Sequence, residues 1–264
     1  MARLWSIYWG YFYLYFRKEL EYTTNFWVES LSFIIWIAGE VSLICFVLLP
    51  IRALQGWTLP HILLMAGISL AGVGLFFTVG VNLFYLPTKY ILEGHLDRIL
   101  LRPLDPYFQL LMDRISAHDA VTMVCGLGLT AYALHALGVG FSATTIALMV
   151  LMTLAAALIY LGLLTVGVTT AFWLKGRANP FHVIISTTDQ LSSYPLGIYP
   201  PLMRTLMTVL VPIAFIGFYP SQAFDPVSEV RWLGLISPVV GVLTFFAGYV
   251  VFRIGMRTYE STGS

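Results

Sequence analysis

The stretch Leu86–Arg114, with the sequence LPTKYILEGHLDRILLRPLDPYFQLLMDR, decides how the rest of this chain is arranged. It separates two long apolar runs and holds eight of the chain's 27 charged residues, of which 14 are basic and 13 acidic. Apolar residues recur in it at helical spacing with charges between them, until Pro103 and Pro106 end the pattern. These apolar positions are Ile91, Leu92, Leu96, Ile99 and Leu100. The pattern predicts a short amphipathic helix on a polar loop between membrane spans.

The composition of the whole chain indicates a membrane protein. Of the 264 residues, 59% are apolar and 10% are charged, and the mean hydropathy is +0.84. Soluble domains carry about 25% charged residues, so the sequence predicts an all-α polytopic membrane protein. The net charge of +1 gives no reason to expect a nucleic-acid partner. Cys45 and Cys125 both fall inside apolar runs, so they predict neither a disulfide framework nor a metal site.

Six apolar runs, each near the roughly 20 residues that a membrane span needs, predict six transmembrane helices. We expect one transmembrane domain over residues 1–264. The predicted spans are 27–49, 60–84, 117–137, 144–173, 203–219 and 232–252. The fifth run contains Pro212, which predicts a kink or a re-entrant segment between the last two spans.

The segments outside the spans have distinct compositions. Residues 1–24 place Trp and Tyr at helical spacing before Arg17 and Lys18, which predicts an interfacial helix rather than a signal peptide. Residues 86–114 and 174–202 are expected to be loops, and residues 253–264 a short tail. Small residues in the second and fourth runs predict close helix packing. These are Gly67, Ala71, Gly72, Gly74, Gly162 and Gly167.

The basic residues are distributed very unevenly between the two sides of these spans. Twelve of the 14 fall at the termini or in the loops 86–114 and 174–204, whereas only Arg52 and Arg231 fall on the other side. Basic residues concentrate on the cytoplasmic side of membrane proteins. The sequence therefore predicts that both termini and the 86–114 loop are cytoplasmic.

No motif for catalysis is present in the sequence. A phosphate-binding P-loop requires a lysine directly after a glycine, and none of Lys18, Lys89 and Lys175 follows one. No HExxH, no GxSxG and no clustered metal ligands occur, and Asp97, Asp105 and Asp113 are separated by prolines. We therefore expect no catalytic residue, no metal site and no ATP hydrolysis in this chain.

Glu40 lies inside the first predicted span, where an ionised carboxylate is costly. It has two interpretations: a group that couples transport to protons or contacts substrate, or a packing residue that is protonated or hydrogen-bonded to a neighbouring helix.

At this point the sequence resembles a known family. Its order of parts is similar to permease subunits of type-2 ABC exporters, the bacterial permeases of about 260 residues that pair with a separate ATPase. The motifs that carry the resemblance are Gly56-Trp57-Thr58, Gly94-His95-Leu96-Asp97, Leu100-Leu101-Arg102-Pro103-Leu104, Ser193-Tyr194-Pro195-Leu196, Tyr219-Pro220 and Arg257-Thr258-Tyr259-Glu260-Ser261-Thr262-Gly263.

The resemblance implies a permease in the bacterial inner membrane that dimerises with itself or with a sister permease. Each permease would dock on one ABC ATPase subunit, which would bind ATP and Mg²⁺, while this chain would bind no cofactor. A coupling helix between spans two and three would contact the ATPase through Glu93, Gly94, His95, Leu96, Asp97, Arg98, Leu101 and Arg102. Glu40, Asn82 and Pro212 are the residues expected along the translocation path.

Two other classes of protein remain as alternatives at this stage. One is an ATPase-independent secondary transporter or lipid scramblase that uses Glu40. The other is an intramembrane enzyme, against which the missing catalytic motifs count. The transported substrate is not predicted by any pattern in the sequence.

Overall fold

The computed structural model describes residues 23–51 and 53–260, together with positions 10, 13, 14 and 17. The predicted interfacial helix at 1–24 lies almost wholly outside the described residues, as do the last four residues of the chain. The described chain is nearly all helical, which confirms the predicted all-α class.

Eleven α-helices are present in the described ranges, and we number them in chain order. They are α1 Thr23–Ile51, α2 Leu59–Gly80, α3 Leu96–Leu100, α4 Pro106–Met112, α5 Asp119–Ala136, α6 Ala143–Trp173, α7 Phe181–Ser192, α8 Pro201–Thr205, α9 Phe218–Gln222, α10 Arg231–Leu235 and α11 Ser237–Met256. Strands β1 (Ala53–Leu54) and β2 (Trp57–Thr58) form one antiparallel hairpin between α1 and α2. Its turn places Gln55 at φ 50° and Gly56 at φ 87°, the left-handed pair that a two-residue hairpin turn requires.

Within the described part of the chain, four helical segments are long and apolar enough to cross a membrane. They are Phe26–Pro50, Leu59–Leu92, Ala143–Trp173 and Ser237–Met256. A fifth is obtained if the bent pair Pro201–Leu210 and Ile213–Gln222 counts as one span. The third predicted span corresponds to α5, an 18-residue helix that carries Asp119 and His135 and is not among the four. The number six therefore stays a prediction.

Glycines bring the backbones of the α2–α5 pair and of the α6–α11 pair into close contact. In the α2–α5 pair, a Cβ at Gly126 would overlap the backbone of Ala71, and one at Gly74 would overlap that of Met123. In the α6–α11 pair, a Cβ at Gly162 would overlap the carbonyl of Thr244. Small residues allow this close approach between membrane helices, which have no hydrophobic driving force for association. The predicted packing role of Gly74 and Gly162 is confirmed.

The helical path that starts as α2 runs further than predicted. It continues as a 3-10 turn (Val81–Tyr85) and a π-helical turn (Leu86–Leu92), so the chain stays helical past Pro87 rather than ending at 84. The widened turn accommodates the proline, which cannot donate to a regular helix. Gly94, at φ 74°, then ends the path.

The amphipathic helix predicted from Ile91 to Leu100 is therefore divided into two separate helical segments. Its N-terminal part, with Ile91 and Leu92, belongs to the π-helical turn, and its C-terminal part is α3. Periodicity alone did not reveal the break, because a glycine at a left-handed φ interrupts a helix without changing the spacing of the residues around it.

The stretch predicted as the 174–202 loop contains helix α7 and runs along the bundle. Phe181, at its start, packs against Phe76 and Phe84 near the far end of the α2 path. Gly197, near its end, lies against the side chain of Gln55 in the β-hairpin turn. We call the end of the bundle with β1 and β2 the hairpin end, and the opposite end the charged end. The two ends of this stretch lie at opposite ends of the bundle.

The bent pair that follows begins and ends at the hairpin end. The Arg204 guanidinium donates to the carbonyls of Gly197 and Tyr199, at 2.7 and 2.6 Å. The Phe218 ring lies 5.6 Å from that of Trp57. Between these points the two halves meet at 71°, with Pro212 at the bend. Arg204 therefore lies at the hairpin end, which is not the side to which the predicted loop 174–204 assigned it.

Candidate functional site

Residues 93–104, which we call the charged turn, present a mixed apolar and charged face at the charged end. Leu101 is 87% exposed, and Leu100, Glu93, Arg98 and Arg102 are exposed around it. An exposed leucine among charges of both signs is typical of a protein-docking surface, in which apolar anchors supply contact area and charges select the partner.

The inner side of the charged turn is buried in the bundle. Leu96 is fully buried, and Ile99 nearly so. Leu96 was predicted as a partner contact, but its side chain packs in the core and supports the exposed face from beneath. Gly94 and His95 are half-buried at the break before α3. The exposed subset of the eight predicted coupling residues is therefore Glu93, Arg98, Leu101 and Arg102.

Polar side chains from the flanking helices hold the charged turn in place. The Asn82 amide donates to the Tyr90 hydroxyl at 2.7 Å and to the Leu110 carbonyl. The Gln109 amide donates to the carbonyls of Ile99 and Leu104, at 3.3 and 2.8 Å. Asn82, which was predicted to lie along the translocation path, is buried here and ties the α2 path to α4.

Asp97 lies beside the C-terminal tail. Burial, and secondarily the Asp97 carboxylate, raise the pKa of Tyr259 to about 12. The Tyr259 ring also packs edge-on against Phe172, at 6.2 Å between ring centroids. The charged turn thus contacts the tail that follows the last long helix, which lies far from it in sequence.

A second group of polar side chains is buried among apolar helices. The Ser69 hydroxyl lies 2.9 Å from the Tyr160 hydroxyl and 2.7 Å from the Ser192 hydroxyl. The Tyr160 hydroxyl donates to an Asp189 carboxylate oxygen at 3.2 Å. We call Ser69, Tyr160, Asp189 and Ser192 the polar cluster. It joins α2, α6 and α7, since buried polar groups require partners.

Glu40 extends the polar cluster toward α1. Its side chain is exposed on α1, and its carboxylate lies within electrostatic range of Asp189. Tyr194 in turn lies within range of Glu40. Two acidic groups and a phenol therefore lie near one another where α1 approaches the stretch after α7. Sequence reasoning identified Glu40 but missed Asp189, because Asp189 falls in a stretch that was taken for a loop.

Pro212 lines an apolar cavity of about 870 Å³. The cavity lies between α6, α7, α11 and the bend of the Pro201–Gln222 pair. Its walls include Gly167, Thr188 and Leu243. The bend of the pair therefore reaches into the helical bundle, while both ends of the pair stay at the hairpin end.

Over residues 23–51 and 53–260, no three His, Cys, Asp or Glu side chains converge into a metal site. The three evenly spaced aspartates have separate partners: Asp97 lies beside Tyr259, Asp105 pairs with Arg253, and Asp113 pairs with Lys89.

These features define a multi-pass α-helical membrane protein with an exposed face of mixed apolar and charged side chains at one end. A family model described as "ABC-2 family transporter protein" matches residues 34–263. The chain therefore belongs to the ABC-2 transporter family, as its motifs predicted, and is a membrane transport component. Searches of curated proteins and of solved structures found no match.

Proposed function

We propose that this chain is the membrane-spanning permease subunit of an ATP-driven exporter in the bacterial inner membrane. It would form half of the translocation path as a homodimer or with a sister permease. A separate ATPase subunit would bind ATP and Mg²⁺ and dock on the charged turn. The observation that carries the proposal is the charged turn itself, because its exposed Leu101 and charges of both signs suit a protein partner better than lipid headgroups.

Purification with the partner tests this proposal. The full-length chain, carrying an affinity tag and expressed in its own host together with that host's ABC ATPase subunits, is expected to retain one of them through detergent extraction. The complex is expected to hydrolyse ATP, whereas the permease alone is not. Recovery of the permease without any ATPase, from cells that contain both proteins, would contradict the proposal.

We further propose six membrane crossings that differ from the sequence-based placement. The third would be made by α4 and α5 together, and the fifth by residues 181–199. The Pro201–Gln222 pair would be re-entrant, entering and leaving on the outer side. This path is supported by the contacts of Phe181 and Gly197 at opposite ends of the bundle. Asp189 would then lie within the membrane, where the Tyr160 and Ser69 hydroxyls donate hydrogen bonds to its carboxylate.

Labelling of single cysteines distinguishes a re-entrant pair from a span. In a chain whose Cys45 and Cys125 are replaced by serine, Ile198→Cys and Val227→Cys lie on either side of the bent pair. Both are expected to react with a membrane-impermeant maleimide added outside intact cells. Leu101→Cys, the control for the cytoplasmic side, is expected to react only after permeabilisation. If Ile198→Cys also required permeabilisation, the pair would be a span.

The translocation path would run beside α1, where Glu40 faces Asp189 and Tyr194. Most of the α1 surface is uncovered by the rest of the chain, with Trp27, Ile35 and Phe46 exposed. A second permease packed near this helix would enclose the Glu40 side of the polar cluster between two copies. Glu40 and Asp189 are the groups we expect to contact polar parts of a substrate there.

A further inference from the structure

Asp105 uses both of its carboxylate oxygens to join two distant parts of the chain. One oxygen accepts from the backbone N–H groups of Tyr107 and Phe108, at 3.0 and 3.4 Å, and so caps the start of α4. The other accepts from the Tyr249 hydroxyl at 2.7 Å and from the Arg253 guanidinium at 3.0 Å. We call Asp105, Tyr249 and Arg253 the Asp105 clasp. It fastens the end of the charged turn to the last turns of α11.

Aromatic packing reinforces the Asp105 clasp on its buried side. The fully buried Tyr107 ring contacts the rings of Tyr249 and Phe252, at 5.6 and 5.1 Å between centroids. The Tyr107 hydroxyl lies 2.8 Å from the Thr165 hydroxyl on α6. The residues that directly follow the charged turn are therefore anchored on both α6 and α11.

This anchoring crosses between the two glycine-packed helix pairs. By chain connectivity the charged turn belongs to the α2–α5 pair, since it follows the α2 path and leads into α4 and α5. The Asp105 clasp instead connects it to the α6–α11 pair. In that pair Gly162 and Gly248 bring the two backbones into contact, so α6 and α11 are expected to move as one body.

We infer that the Asp105 clasp transmits displacement of the charged turn to the α6–α11 pair. Asp105, Tyr249 and Arg253 are then positioning residues for energy coupling: they do not touch the ATPase or the substrate, but together with the Tyr107 packing and the contact of Asp97 with Tyr259 they link the charged turn to α11. The inference rests on the proposed function, in which a bound ATPase displaces this turn. Charge-assisted hydrogen bonds suit the role because they are short and directional.

Asp105→Asn removes the clasp but keeps the helix cap, so it distinguishes the two roles of Asp105. Asparagine caps helices as well as aspartate does, so the hydrogen bonds to Tyr107 and Phe108 can persist. Its amide nitrogen cannot accept hydrogen bonds, so the contacts with Tyr249 and Arg253 are lost. Tyr249→Phe removes one donor of the clasp and leaves the ring packing in place. It serves as the second variant should Asp105→Asn fold poorly.

The test measures movement at the start of α11, the end remote from the Asp105 clasp, in the full permease–ATPase complex. Spin labels are placed at Val239→Cys on α11 or at Val124→Cys on α5, both exposed and remote from the clasp, in a chain whose Cys45 and Cys125 are replaced by serine. Their spectra are recorded with and without a non-hydrolysable ATP analogue. In the otherwise unsubstituted complex, both labels are expected to respond to the nucleotide.

In Asp105→Asn we expect the equilibrium constant of the nucleotide-induced change at the Val239 label to fall roughly tenfold, which corresponds to about 1.4 kcal/mol. A hydrogen bond to a charged group contributes at least about that much. The Val124 response is expected to persist. Arg257→Gln is the matched control, because it removes an arginine one turn beyond Arg253 and outside the clasp; both responses should be unchanged.

Unchanged Val239 responses in both Asp105→Asn and Tyr249→Phe would overturn the inference while leaving the proposed function intact. Equal loss of the Val124 and Val239 responses in Tyr249→Phe would also overturn it, since the clasp would then support the whole fold rather than one helix pair. Absence of any ATPase bound to the unsubstituted chain would instead overturn the proposed function, and this inference with it.

Discussion

Leu101→Asp is expected to weaken docking of the ATPase strongly while the permease itself folds normally. Leu101 is the most exposed large apolar side chain of the charged turn, so its replacement does not disturb the core. In a docked complex the new carboxylate would be buried in an apolar cleft, where an unpaired charge is costly. We expect a loss of at least about 2 kcal/mol, the scale of a central interface residue. That loss corresponds to roughly a thirtyfold weaker Kd. Co-purification and titration of ATPase onto immobilised permease measure it.

Val227→Asp is the matched control for this variant. Val227 is 86% exposed, almost as much as Leu101, but it lies in the segment between α9 and α10, away from the charged turn. The same chemical change there should leave ATPase affinity unaltered. Leu96→Asp would be uninformative, because Leu96 is fully buried and a carboxylate there would destabilise the fold itself. Equal ATPase affinity of Leu101→Asp and the unsubstituted chain would show that the partner docks elsewhere.

Gly126→Leu is expected to prevent correct assembly of the helical bundle. A side chain at Gly126 would overlap the backbone of Ala71 in α2, and a backbone cannot rotate away as a side chain can. Overpacking of a tight core costs about 1–3 kcal/mol and at times more. We expect the upper end of that range or beyond, seen as loss of monodisperse protein in detergent and a strongly lowered Tm.

Gly128→Leu, two residues further along α5, is the matched control for Gly126→Leu. A Cβ at Gly128 would meet no atom within 4 Å, so leucine there faces open space. Both variants add the same apolar volume and the same helix propensity to one helix. A similar fall in Tm for both would mean that close contact between α2 and α5 does not stabilise the fold.

Much of this fold could be predicted from patterns that act locally. Glycines in apolar runs predicted close helix contact, which the positions of Gly74 and Gly162 confirm. The orientation indicated by the uneven basic residues stays a prediction. The start of α4 at Pro106 was not predicted, because Pro106 was read only as the end of the preceding pattern, although proline is well placed in the first turn of a helix.

The path of residues 181–199 could not be predicted for a physical reason. Local hydropathy treats each polar residue as exposed to the bilayer, and this stretch contains Asp189 together with several hydroxyl residues. In the structure, Tyr160 and Ser69 supply partners for Asp189 from two other helices. Such satisfaction depends on contacts more than a hundred positions away, as between Ser69 and Asp189. The Asp105 clasp escaped sequence reasoning for the same reason.

Helix α1 has a consequence for the order of events during synthesis. It is translated before α2 to α11, and its few contacts with them include Glu29, whose carboxylate lies 3.0 Å from the His118 ring at the start of α5. His118 is not yet translated when α1 meets the insertion machinery. The helix must therefore enter the lipid without that contact, which its length and apolar composition allow. It would then lie in the membrane without these partners until α2 to α11 are made, and Glu40 would lack Asp189 during that interval.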